Sequence, residues 1–126
     1  MRELVDNKQY RDFLNEVLQK IERARYESFK TTNKYNILLN YEIGKVIIER
    51  QKLYGWGKSI VEQLSKDITK QYDGVKGYSS QNLWHMRQFF NEYKEYPQLL
   101  LLACSVPWSH NLLIMHKIKD YREREY

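Results

Sequence analysis

The hydrophobic residues near the start of the chain recur at helical spacing. Over residues 8–28 they follow one another at intervals of three and four, with charged residues between them, which predicts an amphipathic helix with one buried stripe. Asp6 is placed to cap its N-terminus. The stripe is short enough to indicate either a helical hairpin or a contact between chains. Its members are Tyr10, Phe13, Leu14, Val17, Leu18, Ile21 and Ala24.

A second helix is predicted over residues 33–54, with Thr32 or Asn33 as its N-cap. Gly44 lies inside this helix, where glycine costs ~1 kcal/mol relative to alanine. We interpret Gly44 as a point of close approach by another helix, with a kink as the alternative. The apolar face of the helix consists of Tyr35, Leu38, Leu39, Ile43, Val46, Ile47 and Leu53.

Glycines divide the next part of the chain. Those in residues 55–57 predict the end of the second helix, and a third helix follows over residues 58–72. Further glycines in residues 73–79 precede a fourth helix over residues 80–95. Two helices joined by a glycine-containing turn are typical of a helix-turn-helix unit, although this turn exceeds the usual 3–4 residues.

The fourth helix has clear boundary signals. Ser79 or Ser80 is placed to cap it, and Pro97 is expected to end it. Residues 98–106 fit a helix or a strand equally well, because a short apolar run has no decisive period. This stretch separates the fourth helix from one that begins near Pro107.

The last helix is predicted over residues 108–119, with Pro107 as its first residue and Ser105 as its cap. The charged tail, residues 121–126, is expected to fray. No segment alternates cleanly at period two. The sequence therefore predicts one all-α domain over residues 1–126, with about five helices and a helix-turn-helix-like core.

The fourth helix separates into two faces when its residues are placed at about 100° intervals. One is apolar, with Leu83, Met86, Phe89, Phe90 and Tyr93, and the other is polar, with Gln81, Trp84, His85, Gln88 and Glu92. Glutamine can bind an adenine edge through two hydrogen bonds, and arginine can bind a guanine edge in the same way. The polar face could equally be an ordinary solvated surface.

This polar face predicts contacts with DNA bases. The candidate base contacts are Gln81, Trp84, His85, Arg87 and Gln88, and the candidate phosphate contacts are Lys58, Lys66 and Lys76. Arg87 lies at the border of the two faces and has the alternative of pairing with an acid such as Asp67.

Charge and composition narrow the classes of function. There are 21 basic and 16 acidic residues, a net charge of +5, without a dense basic stripe, so we expect modest phosphate contact. The 42% hydrophobic content supports a core. The longest apolar run, residues 99–103, is far shorter than the ~20 residues of a membrane span. A first segment without a signal-peptide pattern and one cysteine, Cys104, lead us to expect a cytoplasmic protein.

Catalytic and metal-binding patterns do not emerge from the sequence. The three histidines and Cys104 are scattered, phosphate-binding glycine motifs are missing, and we expect neither a metal nor a cofactor. Glu92 and Lys94 have the spacing of a nuclease E-x-K motif but lie in a predicted helix. We therefore expect a non-enzymatic domain, and we interpret Trp56 and Trp108 as core residues.

Five blocks in order and spacing resemble the N-terminal domain of the YhcG-like proteins, bacterial members of the PDDEXK nuclease superfamily. The resemblance covers roughly residues 10–120. The blocks are Ile43-Gly44-Lys45, Gly55-Trp56-Gly57, VEQLSKDI at 61–68, GYSSQNLWHMRQFF at 77–90, and PWSHNLL at 107–113.

The resemblance implies a helical module that precedes a separate nuclease domain, in a family found near restriction-modification and mobile-element genes. Because this chain ends at Tyr126, we expect that nuclease domain to be absent from it, and nuclease activity does not carry over. The resulting hypothesis is a non-catalytic DNA-binding or targeting module of a nuclease system. The alternative is a protein-interaction domain that dimerises or docks on a nuclease or restriction subunit.

Overall fold

The computed structural model describes the backbone of residues 7–27 and 33–125, and all regular structure in these ranges is helical. This confirms the all-α prediction, with six helices in place of about five. The helices are α1 (Lys8–Glu27), α2 (Asn33–Tyr54), α3 (Ser59–Gln71), α4 (Ser80–Tyr93), α5 (Pro97–Ala103) and α6 (Trp108–Glu125). Within the described ranges, no helix is long and apolar enough to cross a membrane.

The central element is α2, which packs most extensively against α4 on one side and α1 on the other. One hydrophobic cluster joins α1, α2, α3 and α4, and a second joins α2 and α4 to α5 and α6. The helices α3 and α4 follow each other and are in contact, as in the predicted helix-turn-helix arrangement, but α4 packs more extensively against α2 than against α3. The buried residues of α2 are Ile37, Asn40, Ile43, Gly44, Val46, Ile47 and Ile48.

The apolar stripe of α1 is buried inside the chain. Val17 and Ile21 have no exposed surface, and both belong to the cluster shared with α2 and α3. The hairpin alternative is therefore correct, and this stripe is not available for a contact between chains. Arg50 of α2 pairs with Glu16 of α1, which reinforces the antiparallel packing of the two helices.

Gly44 lies where α2 crosses α4. A Cβ atom built on Gly44 would lie 2.6 Å from the carbonyl carbon of Met86 and 3.0 Å from the amide nitrogen of Arg87. Ordinary carbon contacts are about 3.5–4.0 Å, so only glycine fits here without movement of a backbone. The prediction of a close approach at Gly44 is confirmed.

Two helix caps illustrate local control of the fold. The hydroxyl of Ser79 accepts a hydrogen bond from the backbone nitrogen of Asn82 at 3.1 Å, which confirms Ser79 as the cap of α4. The side chain of Asn7 accepts from the backbone nitrogen of Tyr10 at 2.9 Å and so caps α1. Two of the predicted caps, Asp6 and Thr32, lie outside the described residues.

The boundaries near Pro97 and Pro107 differ from the sequence prediction. Pro97 is the first residue of α5, where its fixed φ suits a helix start, and α4 ends earlier, at Tyr93. The Ser105 hydroxyl donates to the Leu102 carbonyl at 2.7 Å, so Ser105 closes α5 and does not cap α6. Pro107 precedes α6, and its carbonyl accepts the first hydrogen bond of that helix.

Asn111 holds α6 against the end of α5. Its side chain is fully buried, and the amide nitrogen donates to the carbonyls of Ala103, Val106 and Pro107 at 3.0, 3.2 and 3.2 Å. Each of these carbonyls also accepts one other hydrogen bond, from the Val106 amide, the Asn33 side chain and the Asn111 amide respectively, so the Asn111 side chain adds a second bond that ties the start of α6 to the end of α5. The backbone of α6 then continues to Glu125, so residues 121–125 of the charged tail are helical.

Candidate nucleic-acid interface

The helix α4 carries five of the predicted DNA contacts on one element. Its apolar side is turned to the core, with Leu83, Met86, Phe89 and Phe90 buried, as the periodicity predicts. On the other side, Gln81 is exposed and Trp84, His85, Arg87 and Gln88 are half-buried. A partner would therefore have most access to Gln81 and partial access to the other four side chains.

Arg87 is held in place by two neighbours. Its Nε donates to the Oε1 of Gln51 at 2.7 Å, and its guanidinium carbon lies 5.2 Å from the ring centroid of Trp84. The predicted alternative, a pair with Asp67, is wrong. The Asp67 carboxylate instead accepts a hydrogen bond from the Tyr10 hydroxyl at 2.7 Å.

Gln51 connects this arginine to the start of α3. The Gln51 amide nitrogen donates to the carbonyl of Gly57 at 3.3 Å, while its oxygen accepts from Arg87. Lys58 follows Gly57 directly and is exposed at the N-cap position of α3. The structure thus brings Lys58 to the same end of the α2–α4 crossing as Arg87.

Lys76 lies beside the first turn of α4. The two residues that follow it are fixed to α3 and to α4, since the Ser65 hydroxyl donates to the Tyr78 carbonyl at 2.7 Å and the Asn82 amide donates to the Gly77 carbonyl at 2.7 Å. Lys76 is exposed next to these contacts. Lys66 is also exposed, on the solvent side of α3. In sequence it lies between the segment held at Gly57 and the segment held at Gly77 and Tyr78.

His85 is only partly open to solvent. Its Nδ1 is buried and has no hydrogen-bond partner within the described part of the chain. The two glutamines differ in the same way, since Gln81 is exposed and Gln88 is half-buried. Gln81 is therefore the most accessible of the predicted base contacts.

The two tryptophans interpreted as core residues pack against aromatic neighbours. Trp56 contacts the rings of Phe13 and Tyr10 at centroid distances of 5.2 and 6.2 Å. Trp108 contacts Phe89 at 5.2 Å and donates its indole hydrogen to the Asn82 side chain at 2.8 Å. Both rings are half-buried, and neither is a free stacking surface.

Sequence reasoning missed Gln51 and Asn82. Gln51 lies on a helix far from α4 in sequence, and a polar residue there has no signal that distinguishes it from a solvated one. Asn82 bridges the Gly77 carbonyl and Trp108, and its position three residues after the Ser79 cap is the one clue the sequence contains.

Two shallow grooves of about 400 and 380 Å³ lie between α1 and α3. Their carboxylates hold neighbouring tyrosines: the Tyr72 hydroxyl donates to Glu22 at 2.8 Å, as Tyr10 donates to Asp67. Burial, with the hydrogen bond to Glu22, raises the pKa of Tyr72 to about 12. Burial and the bond to Asp67 raise the pKa of Tyr10 as well. These pairs connect α1 to the end of α3 and to α3 itself.

In the described ranges, no group of three histidine, cysteine or acidic side chains is placed to hold a metal ion. The described residues form a six-helix fold in which the polar face of α4 is partly accessible. Residues 16–126 match the family model of the DUF1016 N-terminal domain. The chain belongs to this family.

The match to the DUF1016 N-terminal domain confirms the resemblance to the N-terminal helical domain of the YhcG-like proteins. It contains all of α2 to α6 and every predicted DNA contact, from Lys58 to Gln88. No curated protein and no solved structure gave a significant match.

Proposed function

We propose that this DUF1016 N-terminal domain binds duplex DNA without catalysis, as a targeting module of a nuclease system, through the outer face of α4. The observation that supports this most is the chemistry of that face. Two glutamines, a histidine, a tryptophan and an arginine lie outside the core, and Glu92 is the acid among residues 81–92. Since phosphates repel carboxylates, such a face suits DNA better than a basic protein.

The lysines set how tightly the domain can bind. Lys58 and Lys76 flank α4 at the two anchored segments, and a net charge of +5 gives a general attraction to DNA. With few phosphate contacts, we expect affinity in the non-specific range, with a Kd of about 10⁻⁴–10⁻⁶ M at physiological salt. The glutamines and Arg87 would add sequence preference to this background.

Fluorescence anisotropy with labelled duplexes at two salt concentrations tests the proposal. The double variant Gln81→Ala/Gln88→Ala should lose sequence preference and keep background affinity, whereas Gln98→Ala, at an exposed position on α5, should change neither. Lys66→Ala/Lys76→Ala should weaken binding to every sequence. It should also reduce the salt slope by about 0.9 for each phosphate that the variant no longer neutralises.

Two results would contradict the proposal. The first is the absence of duplex binding at low salt, provided that circular dichroism shows a folded domain. The second is specific nicking of DNA in the presence of Mg²⁺. If Glu92→Ala abolished this nicking, Glu92 and Lys94 would be a catalytic pair. We expect no cleavage, because both residues lie at the end of a helix without a strand partner.

Exposed apolar side chains on α5 and α6 support a second candidate, self-association of the domain. Six aliphatic side chains on α5 and α6 are roughly half exposed, on two consecutive helices that share one hydrophobic cluster. Apolar exposure of this extent on a small domain often marks an interaction site. The residues are Leu99, Leu101, Leu102, Leu113, Ile114 and Ile118.

The size and charge of this surface favour a second copy of the chain as the occupant. In a symmetric dimer both copies bury their six half-exposed side chains, which is equivalent to burial of about six whole ones, worth about 9–18 kcal/mol at ~1.5–3 kcal/mol each. Association itself costs about 4–15 kcal/mol, which offsets most of this gain, so a dimer of weak to moderate affinity is expected. Residues 97–118 contain no acid and one lysine, Lys117, so two copies would not repel each other strongly.

Sedimentation over a concentration series tests self-association. Leu102→Glu should shift the domain to monomer, because a carboxylate would be buried in the contact. Leu53→Glu, at an equally exposed leucine on α2 (67% against 66%), is the control and should not. A wild-type domain that stays monomeric at high concentration contradicts this candidate.

A further inference from the structure

The guanidinium of Arg87 is fixed before any ligand arrives. We infer that Gln51 and Trp84 hold it as a preorganised two-pronged donor for a pair of neighbouring acceptors in DNA, either the N7 and O6 atoms of guanine or two phosphate oxygens. This inference rests on the proposed DNA binding and adds Gln51 as a positioning residue.

The orientation of Gln51 is determined by its two partners. Its amide oxygen accepts from the Nε of Arg87 at 2.7 Å, and its amide nitrogen donates to the Gly57 carbonyl at 3.3 Å. A flipped amide would place a donor against a donor and an acceptor against an acceptor. Gln51 therefore fixes Arg87 relative to the turn that precedes α3.

Trp84 restricts the same guanidinium from one side. It lies three residues before Arg87 on α4, a spacing that places the two side chains next to each other, and the cation lies 5.2 Å from the centroid of the indole ring. The indole and Gln51 together set the plane and the direction of the group. Trp84 thus supports the arginine, where the sequence predicted a direct base contact.

This arrangement leaves the terminal nitrogens of Arg87 for a ligand. The contacts of the guanidinium within the described ranges engage Nε and one face, and neither terminal nitrogen hydrogen-bonds to a described residue. Two parallel N–H groups are the geometry with which arginine binds a guanine edge or a phosphate. A side chain that is already ordered loses less freedom on binding, which favours affinity.

Variants of Gln51 separate positioning from simple helix stapling. Gln51→Glu retains an acceptor for Nε but neutralises Arg87, so the domain should stay folded while DNA affinity falls. Gln51→Met removes both hydrogen bonds and should release the arginine. Gln19→Met, at an exposed position on α1, is the control for the substitution itself and should leave binding unchanged.

The DNA probes separate the two sources of acceptors. Wild-type domain is titrated with a G·C-rich duplex and with the same duplex that contains 7-deazaguanine, which lacks the N7 acceptor. If Arg87 binds guanine, the modified duplex should bind roughly 5–150-fold more weakly, the range for one good bidentate base contact. Arg87→Ala and Gln51→Met should abolish that difference. If Arg87 binds phosphate, both duplexes bind alike and Gln51→Glu reduces the salt slope by about 0.9.

The possible failures are distinct. If wild-type domain binds duplex DNA but Gln51→Glu, Gln51→Met and Arg87→Ala leave affinity, salt slope and the ratio of the two probes unchanged, the inference is overturned and the proposed function stands. If the folded wild-type domain binds neither duplex at low salt, both are overturned. Thermal unfolding of each variant shows whether a loss of DNA affinity is due to unfolding of the domain. Unfolding would lower the Tm and would weaken binding to both duplexes alike, so the ratio of the two affinities would not change.

Discussion

Replacement of Gly44 by alanine tests the closest backbone approach in the domain. The added Cβ would lie 2.6 Å from the carbonyl carbon of Met86, about 1 Å inside ordinary contact distance. The obstacle is the backbone of α4, which cannot rotate away as a side chain would. Relief requires α4 to move off α2, which disturbs the packing of Leu83 and Phe90 in the core.

Two opposing effects determine the size of the change. Alanine gains ~1 kcal/mol over glycine in a helix interior. Overpacking typically costs ~1–3 kcal/mol, and a backbone obstacle places Gly44 at the upper end of that range. We therefore expect a net loss of about 2 kcal/mol in the free energy of unfolding. At roughly 3–5 °C per kcal/mol for a domain of this size, Tm should fall by about 6–10 °C.

Urea denaturation followed by circular dichroism measures this change, with Gly57→Ala as the matched control. A Cβ at Gly57 meets no heavy atom within 4 Å, and its φ is outside the left-handed range. That substitution should be neutral or stabilise the domain by about 0.4–1 kcal/mol. A Gly44→Ala variant as stable as wild type, or more stable by the ~1 kcal/mol of helix propensity, would refute the close approach.

Three further changes probe individual contacts. Asn111→Asp would place a carboxylate against three carbonyl oxygens, so the free energy of unfolding should fall by about 3–5 kcal/mol at neutral pH. Stability should recover at acidic pH, where the carboxylate becomes protonated. Equal urea midpoints at neutral and acidic pH would contradict this. The pKa of Tyr72 is raised from 10.0 to about 12, so the Tyr72 hydroxyl keeps its proton to a higher pH in the folded state than in the unfolded state. Stability should decline as pH rises from about 10 toward 12, and Tyr72→Phe should flatten that decline in urea melts. Ser79→Ala should destabilise the domain by ~1 kcal/mol through loss of the α4 cap, and a larger effect from Ser80→Ala would reverse the assignment.

The helices themselves were largely predictable from the sequence. The bounds of α2 and the Ser79 cap match the prediction, because helical hydrogen bonds and caps involve residues a few positions apart. The seven residues of α5 are too few to show a helical period, so their pattern fits a helix or a strand. The prediction for Ser105 is wrong because a serine near two helix ends can serve either one.

The candidate interface was predictable only in outline. Amphipathic periodicity identifies which side of α4 lies outside the core, and the structure agrees for Leu83 and Met86. How far each polar residue is exposed depends on the neighbouring helices, so the spacing of residues along α4 could not predict that His85 is half-buried. The contact between Gln51 and Arg87 joins residues 36 positions apart, and nothing local encodes it.

By itself, the sequence determined the helical class and most helix boundaries, since these follow from short-range hydrogen bonding and side-chain spacing, and it left a close approach and a kink as alternatives at Gly44. Only the tertiary structure decided which surfaces meet. It buried the stripe of α1 within the chain, gave Arg87 to Gln51 and left Asp67 to Tyr10. An apolar stripe or a charged group has several partners of equal chemistry, and the choice among them depends on how all the helices pack at once.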